Sequence, residues 1–217
     1  MTIKFKRSML TAYFISGTQD IKNPDKTLPI VLTEALKAGI TAFQFREKGP
    51  TALTGEAKLA MANRLKQLCA EYQVPFIIDD DVDLAQQVGA DGIHVGQKDQ
   101  KINQVIAAVA GEMFVGLSCS NLDQVEAANR LTGLAYIGSG PVFPTQSKAD
   151  ADPVIGPRGL TELVAHSNYP IVAIGGITEA NVTELAHTGA AGSSVISVIA
   201  QSDNIERTVS KLKQVNY

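Results

Sequence analysis

Much of what would announce a familiar chemistry is missing from this chain. It has no long Lys/Arg run and a formal net charge of −3, which argues against a nucleic-acid surface. No apolar stretch approaches the roughly 18 residues needed to cross a bilayer, so no membrane partner is expected. Cysteine is limited to Cys69 and Cys119, far apart and without metal-type spacing. That pattern predicts two reduced thiols in a cytoplasmic protein, with neither a disulfide framework nor a zinc site. No Gly-x-Gly-x-x-Gly follows the first strand-like run, which argues against a dinucleotide fold. No linker or low-complexity tract divides residues 1–217, and they read as one domain.

What is present is an ordinary globular composition, 45% hydrophobic and 19% charged, sufficient for a sizeable core. Lys4, Lys6 and Arg7 precede the apolar run 9–15, a weak echo of a signal peptide. The run is short and no small-residue cleavage site follows, so it reads as a first core strand. Runs rich in Val, Ile and Phe predict strands at 11–16, 40–45, 75–79, 91–95, 113–117, 134–138, 170–174 and 192–196. Helical spacing predicts helices at 26–38, 54–72, 81–88, 100–109, 121–130, 158–166, 179–187 and 203–214. In 54–72 the core face is Met61, Leu65, Leu68, Cys69 and Tyr72. Asn121 is a start signal, and Asp203 with Glu206 resembles a capping box. Eight strands alternating with eight helices predict an α/β fold, a single (β/α)8 TIM barrel. Gly89-Ala90-Asp91-Gly92 and Gly189-Ala190-Ala191-Gly192, one hundred residues apart, support equivalent places in two half-barrels.

A barrel of this kind works at the C-terminal ends of its strands, and the polar residues gather there. The second strand ends in Gln44-Phe45-Arg46-Glu47-Lys48. Arg46 and Lys48, two apart, share a face, whereas Glu47 points the other way. Two cations at one strand end call for a polyanion, because leaving an ion desolvated and unpaired costs several kcal/mol. The third strand runs into Asp79-Asp80-Asp81. These aspartates read either as helix caps, worth a few tenths to ~1 kcal/mol, or as ligands of a hard cation, Asp80 with Asp99 of the next loop. Oxygen-only ligands favour Mg²⁺, which keeps waters and takes phosphate oxygens; Arg46, Lys48 and Lys148 would hold a diphosphate against it. Gly175-Gly176, alone a tight turn, follows the seventh strand, where backbone N–H groups of a barrel commonly take a phosphate with the loop at Ile196-Ser197. His94 reads as a satisfied core or rim histidine, His166 and His187 as helix-end residues, and Cys119 has no visible base.

With Asp91 to Asp99, Gly140 to Lys148 and Ala173 to Ile177 added, the chain resembles the thiamin-phosphate synthase family over nearly its whole length. The resemblance implies a transferase that joins a hydroxymethylpyrimidine diphosphate to a thiazole phosphate carboxylate and releases diphosphate and carbon dioxide. It implies that Gln44, Phe45, Arg46, Glu47, Lys48, Asp79, Ser118 and Lys148 bind the pyrimidine diphosphate, and that Asp80 and Asp99 hold Mg²⁺. Thr145, Gln146, Ser147, Gly176, Ile196 and Ser197 would bind the thiazole phosphate. Arg46, Lys48, Lys148 and Ser118 would serve catalysis. The chain departs from the family's pattern at Asp79, where Asn is common, and at Ser147, where Thr is common. The partners implied are small-molecule substrates, and a homo-oligomer stays compatible with the sequence. The rival readings are a thiazole tautomerase-like isomerase on the same barrel and a non-catalytic phosphate-binding barrel. Loops 17–27 and 144–157, polar and long, are the candidate lids.

Overall fold

In the computed structural model, which describes residues 3–109, 111–145, 147 and 152–217, eight parallel strands close into a barrel in sequence order. They are β1 (Ala12–Ser16), β2 (Ala42–Phe45), β3 (Phe76–Asp79), β4 (Gly92–Val95), β5 (Phe114–Ser118), β6 (Leu134–Ser139), β7 (Ile171–Ile174) and β8 (Gly192–Val195). The helices are α1 (Leu28–Ala38), α2 (Gly55–Glu71), α3 (Val82–Val88), α4 (Ile102–Val109), α5 (Leu122–Ala128), α6 (Gly156–His166), a short α7 (Ser197–Ala200) and α8 (Ile205–Lys213).

Both faces of each strand are covered, so the strands read as continuous apolar runs and not as alternating ones. Alternation nevertheless decides where each side chain goes. Phe14, Phe43, Phe45, Phe76, Ile78, Ile93 and Val95 point outwards into the larger core beneath the helices. Phe14, Phe43 and Phe76 form a ladder there, with ring centroids 5.4 and 6.2 Å apart on neighbouring strands. A Phe→Ala exchange in such a position costs roughly 3–5 kcal/mol. Tyr13, Ala42, Ile77, Tyr136 and Val172 point inwards and fill the barrel itself.

The helix ends follow their local chemistry. Gly39 (φ 87°) and Gly89 (φ 61°) close α1 and α3 in the left-handed conformation. Asn121 accepts from Gln124 N at 3.0 Å at the start of α5, as its sequence signal predicts. At α8 the cap is Asn204, not Asp203: its side chain accepts from Arg207 N at 2.9 Å. In α2 the buried face is Ala62, Leu65, Leu68 and Cys69, and Tyr72 lies past the helix end, 37% exposed.

One predicted helix is largely absent. Residues 179–187 contain a single 3₁₀ turn, Val182–Leu185. The Asn181 side chain accepts from Thr178 N at 2.7 Å and donates to Gly176 O at 2.9 Å, holding the preceding backbone out of helical geometry. Glu179 docks this crossover onto α8 through Thr208 Oγ1 (2.6 Å), Arg207 Nε and Lys211 Nζ (both 3.1 Å). α7, unforeseen from sequence, follows β8 instead. Among the described residues no helix is long and apolar enough to cross a membrane.

Candidate active site

On β2 the inward-facing series Ala42, Gln44, Arg46, Lys48 climbs from the barrel interior to its C-terminal mouth. The outward series Phe43, Phe45, Glu47 does not reach the mouth. Phe45 is packed in the outer core. Glu47 is buried and accepts from Thr18 N (2.9 Å), Thr18 Oγ1 and Leu53 N (2.9 Å). It therefore ties the loops after β1 and β2 together. Gln19 Nε2 adds a bond to Arg46 O at 2.8 Å, so the first turn of loop 17–27 is clamped to β2.

The two cations meet carboxylates from β3. Asp79 Oδ2 lies 3.1 Å from Lys48 Nζ and 3.6 Å from Arg46 Nε, with its side chain only 9% exposed. Lys48 also bonds Asp80. Asp80 reaches it because the chain leaves the strand there in the left-handed conformation (φ 52°), which an aspartate tolerates better than most residues. On strand alternation alone Asp80 would face outwards with Phe76 and Ile78. Asp81 is the helix cap, accepting from Leu84 N at 3.0 Å and pairing with Lys58 at 2.7 Å.

Protonation follows this grouping. Burial disfavours the charged form of Lys48, but Asp79 and Asp80 outweigh it and hold its pKa above the ordinary lysine value. Burial raises the pKa of Asp80, and the charges of Asp79 and Asp99 add to that shift against the bond from Lys48. One ammonium thus serves two carboxylates, while Asp80 faces two others. A divalent cation relieves that kind of crowding.

Asp99 stands on the loop after β4, its Oδ2 accepting from Gly96 N at 2.7 Å. Among the described residues no three His, Cys, Asp or Glu side chains gather as a ready-made metal cage. The donor set that Asp80 and Asp99 offer is two carboxylates, which fits a hard ion that retains water and takes its remaining oxygens from a ligand.

Across the mouth lies the second half of a single cavity of about 240 Å³, which Arg46, Lys48 and Asp79 share with Ser118, Thr145, Ser147, Gly176, Ile196 and Ser197. The loop after β6 is laced to the end of β7 by Val142 N to Ile174 O (2.9 Å) and Phe143 N to Gly175 O (3.0 Å). Gly176 (φ 65°) passes so close that a Cβ there would lie 2.4 Å from Pro144 O and 2.5 Å from Phe143 O. After β7 comes the 3₁₀ turn Val182–Leu185, not the α-helix expected there, and Ser197 at the start of α7 lines the same cavity as the glycine pair. Two predicted site residues, Gln146 and Lys148, lie outside the described residues.

Gln44 lies lower, lining a small second cavity of about 10 Å³ with Tyr13, His94 and Tyr136. Its Nε2 donates to Tyr13 Oη at 2.7 Å. Tyr13 Oη is 2.9 Å from Tyr136 Oη, which is 3.0 Å from His94 Nδ1; His94 Nε2 is 3.0 Å from Ser118 Oγ. Sequence reasoning missed both tyrosines, since an aromatic on a strand reads first as core. Cys119 lines the cavity too, but burial pushes its thiol pKa up to about 12, which suits no nucleophile.

Comparison with known proteins gives the family and the fold. The family model described as thiamine monophosphate synthase matches residues 12–199. A thiamine-phosphate synthase of Lactiplantibacillus plantarum is 54% identical over 209 residues, covering 96% of this chain and 95% of the relative. One from Listeria innocua is 55% identical over 209 residues, with 95% and 97% covered. Among solved structures, thiamine phosphate pyrophosphorylase from Pyrococcus furiosus aligns with a TM-score of 0.81 at 33% identity, covering 96% of each chain. A 3-hexulose-6-phosphate synthase aligns with a TM-score of 0.63 at 15% identity over 93% of this chain and 98% of its own, a likeness of fold alone.

Proposed function

This chain belongs to the thiamine monophosphate synthase family, and on that premise we propose how its cavity divides between two phosphorylated substrates in the transferase reaction. The reaction couples a pyrimidine methyl diphosphate to a thiazole phosphate carboxylate, giving thiamin phosphate, diphosphate and carbon dioxide. The observation that carries the division is that one cavity holds the Arg46–Lys48–Asp79 group on one wall and Gly176 with Ser197 on the other. An isomerase of the thiazole alone, or a phosphate-sensing barrel, has no use for the first wall.

On the first wall Arg46 and Lys48 grip the diphosphate, joined by Lys148, and Gln44 and Ser118 address the pyrimidine. Asp80 and Asp99 hold Mg²⁺, which when bound neutralises charge on the diphosphate oxygens. On the second wall Thr145, Gln146, Ser147, Gly176, Ile196 and Ser197 receive the thiazole phosphate. Phe45 and Glu47 act from behind, by packing β2 and by tying its loops. Arg46 and Lys48 stabilise the leaving diphosphate as the bond to the pyrimidine methylene breaks, and the thiazole nitrogen captures the resulting delocalised cation. Preorganised donors of this kind are worth about 10²–10³ in rate each. No protein nucleophile enters, in keeping with the inert Cys119. We place the reaction in the cytoplasm, with both buried thiols reduced.

The test is turnover. Purified protein with Mg²⁺ and both substrates is expected to release one diphosphate per thiamin phosphate formed, measured by coupled phosphate assay and chromatography. Absence of diphosphate release would end the synthase reading, and conversion of the thiazole alone would favour the isomerase.

Asp79 allows a narrower prediction. Its carboxylate partly cancels Arg46 and Lys48, so Asp79→Asn leaves the diphosphate grip more positive and keeps a side chain of the same shape. Its kcat/KM is expected to stay within about tenfold of the parent, about 1.4 kcal/mol. Complete loss in a steady-state assay would instead make the carboxylate an obligatory ligand.

A further inference from the structure

A run of short polar contacts links Gln44 to Ser118 inside the barrel. Gln44 Nε2 donates to Tyr13 Oη, whose own proton then has Tyr136 Oη as its acceptor at 2.9 Å; a Tyr136 proton turned to His94 Nδ1, 3.0 Å away, would carry the same sense onwards. With Nδ1 accepting, the ring would carry its proton on Nε2 and donate it to Ser118 Oγ, 3.0 Å away. The Ser118 hydroxyl proton is then directed away from His94, into the cavity it lines.

The strands are cut to fit this chain. A Cβ on Gly116 would lie 2.2 Å from Tyr136 Cζ and 2.6 Å from His94 Nδ1, and one on Gly138 would lie 3.3 Å from His94 Cε1. Side chains at either position would press on the imidazole or the phenol beside it. The His94 and Tyr136 rings stack at 5.5 Å, and Phe5 packs beneath Tyr136 at 5.8 Å. Both phenols are fully buried, and desolvation raises both pKa values, so they stay protonated and keep their donors.

We propose that Tyr136, oriented from below by Tyr13 and Gln44, is a positioning residue that fixes His94 as its Nε2–H tautomer and so makes the Ser118 hydroxyl a donor towards the substrate. The cavity then favours a heteroaromatic ligand that turns an acceptor atom to Ser118 and disfavours one that turns an N–H to it. Which substrate meets Ser118 rests on the function proposed above; the tautomer does not.

Nitrogen NMR of the ¹⁵N-histidine-labelled protein, with His94 assigned by its loss in His94→Gln, reads the tautomer directly, independent of turnover. The parent is expected to show a protonated Nε2 and a hydrogen-bonded, unprotonated Nδ1. A proton on Nδ1 in the parent spectrum overturns the proposal, whatever any variant does. Tyr136→Phe is expected to move the Nδ1 resonance towards that of a free imidazole nitrogen and to lower kcat about tenfold, with KM for the thiazole phosphate unchanged. An unmoved Nδ1 resonance in that variant overturns it equally. Tyr13→Phe, which removes the hydroxyl that orients Tyr136, is expected to move the Nδ1 resonance in the same direction as Tyr136→Phe and to raise KM for the pyrimidine diphosphate by releasing Gln44; an unmoved resonance overturns the part given to Tyr13 and Gln44.

Discussion

Asp80→Asn and Asp99→Asn are each expected to lower kcat by about 10³-fold or more while leaving the protein folded. That corresponds to about 4 kcal/mol of transition-state stabilisation, the scale expected when a carboxylate needed to hold a catalytic cation is neutralised. Asn is the informative exchange at position 80 because the residue sits at φ 52°. Asn tolerates that conformation, whereas Ala adds a backbone cost of roughly 1–2 kcal/mol and confuses stability with chemistry. Stability should survive for an electrostatic reason. A carboxyl whose folded pKa is raised binds protons more readily in the native state, so its contribution falls as pH rises from the ordinary aspartate value through the raised one. At neutral pH Asp80 is therefore a net burden, and Lys48 keeps Asp79 at 3.1 Å when it is neutralised. Melting temperature is expected within about 3 °C of the parent, the shift from about 1 kcal/mol in a chain of this size. Near-normal kcat at saturating Mg²⁺ in either variant would remove that residue from the metal site.

The contrast between Asp79 and Asp80 shows where strand logic ends. Alternation along β2 separates Gln44, Arg46 and Lys48 from Phe45 and Glu47 before any coordinates are known, because a strand has only two faces. The same rule sends Asp79 into the mouth but turns Asp80 outwards, and it fails there because the strand stops one residue earlier. A positive φ at a non-glycine residue leaves no mark in a single sequence beyond the identity of aspartate itself. The helix expected at 179–187 failed for a related reason. Its apolar spacing is sound, but Asn181 bonds the local backbone twice, and a side chain that competes with the helix outweighs spacing over so short a segment.

The buried tyrosines were illegible for a different reason. Tyr13 and Tyr136 fill the barrel as any large aromatic would, and their apolar bodies account for their positions on the strands. Their hydroxyls acquire meaning only when β1, β2, β4, β5 and β6 bring Tyr13, Gln44, His94, Ser118 and Tyr136 into one line. Sequence separations of up to 123 residues, as between Tyr13 and Tyr136, carry no local pattern.

The second large effect is expected at Gly176. Gly176→Ala places a methyl group 2.4 Å from Pro144 O and 2.5 Å from Phe143 O, both backbone atoms of the loop that Val142 N and Phe143 N lace to the end of β7. Neither can rotate aside, so the loop bearing Thr145 and Ser147 must move. A displacement of about 1 Å in a positioning loop costs on the order of 10²-fold. The kcat/KM for the thiazole phosphate is expected to fall by that factor or more, with KM for the pyrimidine diphosphate little changed, since the first wall stays intact. Gly111→Ala separates the two sources of cost. It has the same kind of backbone (φ 83°) but nothing within 4 Å of a new Cβ, so it carries only the conformational penalty, roughly 1–2 kcal/mol of stability, and no loss of turnover. If Gly176→Ala behaved like Gly111→Ala in steady-state kinetics, the glycine would be a turn and not part of a phosphate site. A selective loss for the thiazole phosphate would instead locate that substrate opposite the diphosphate, because only the second wall depends on Gly176.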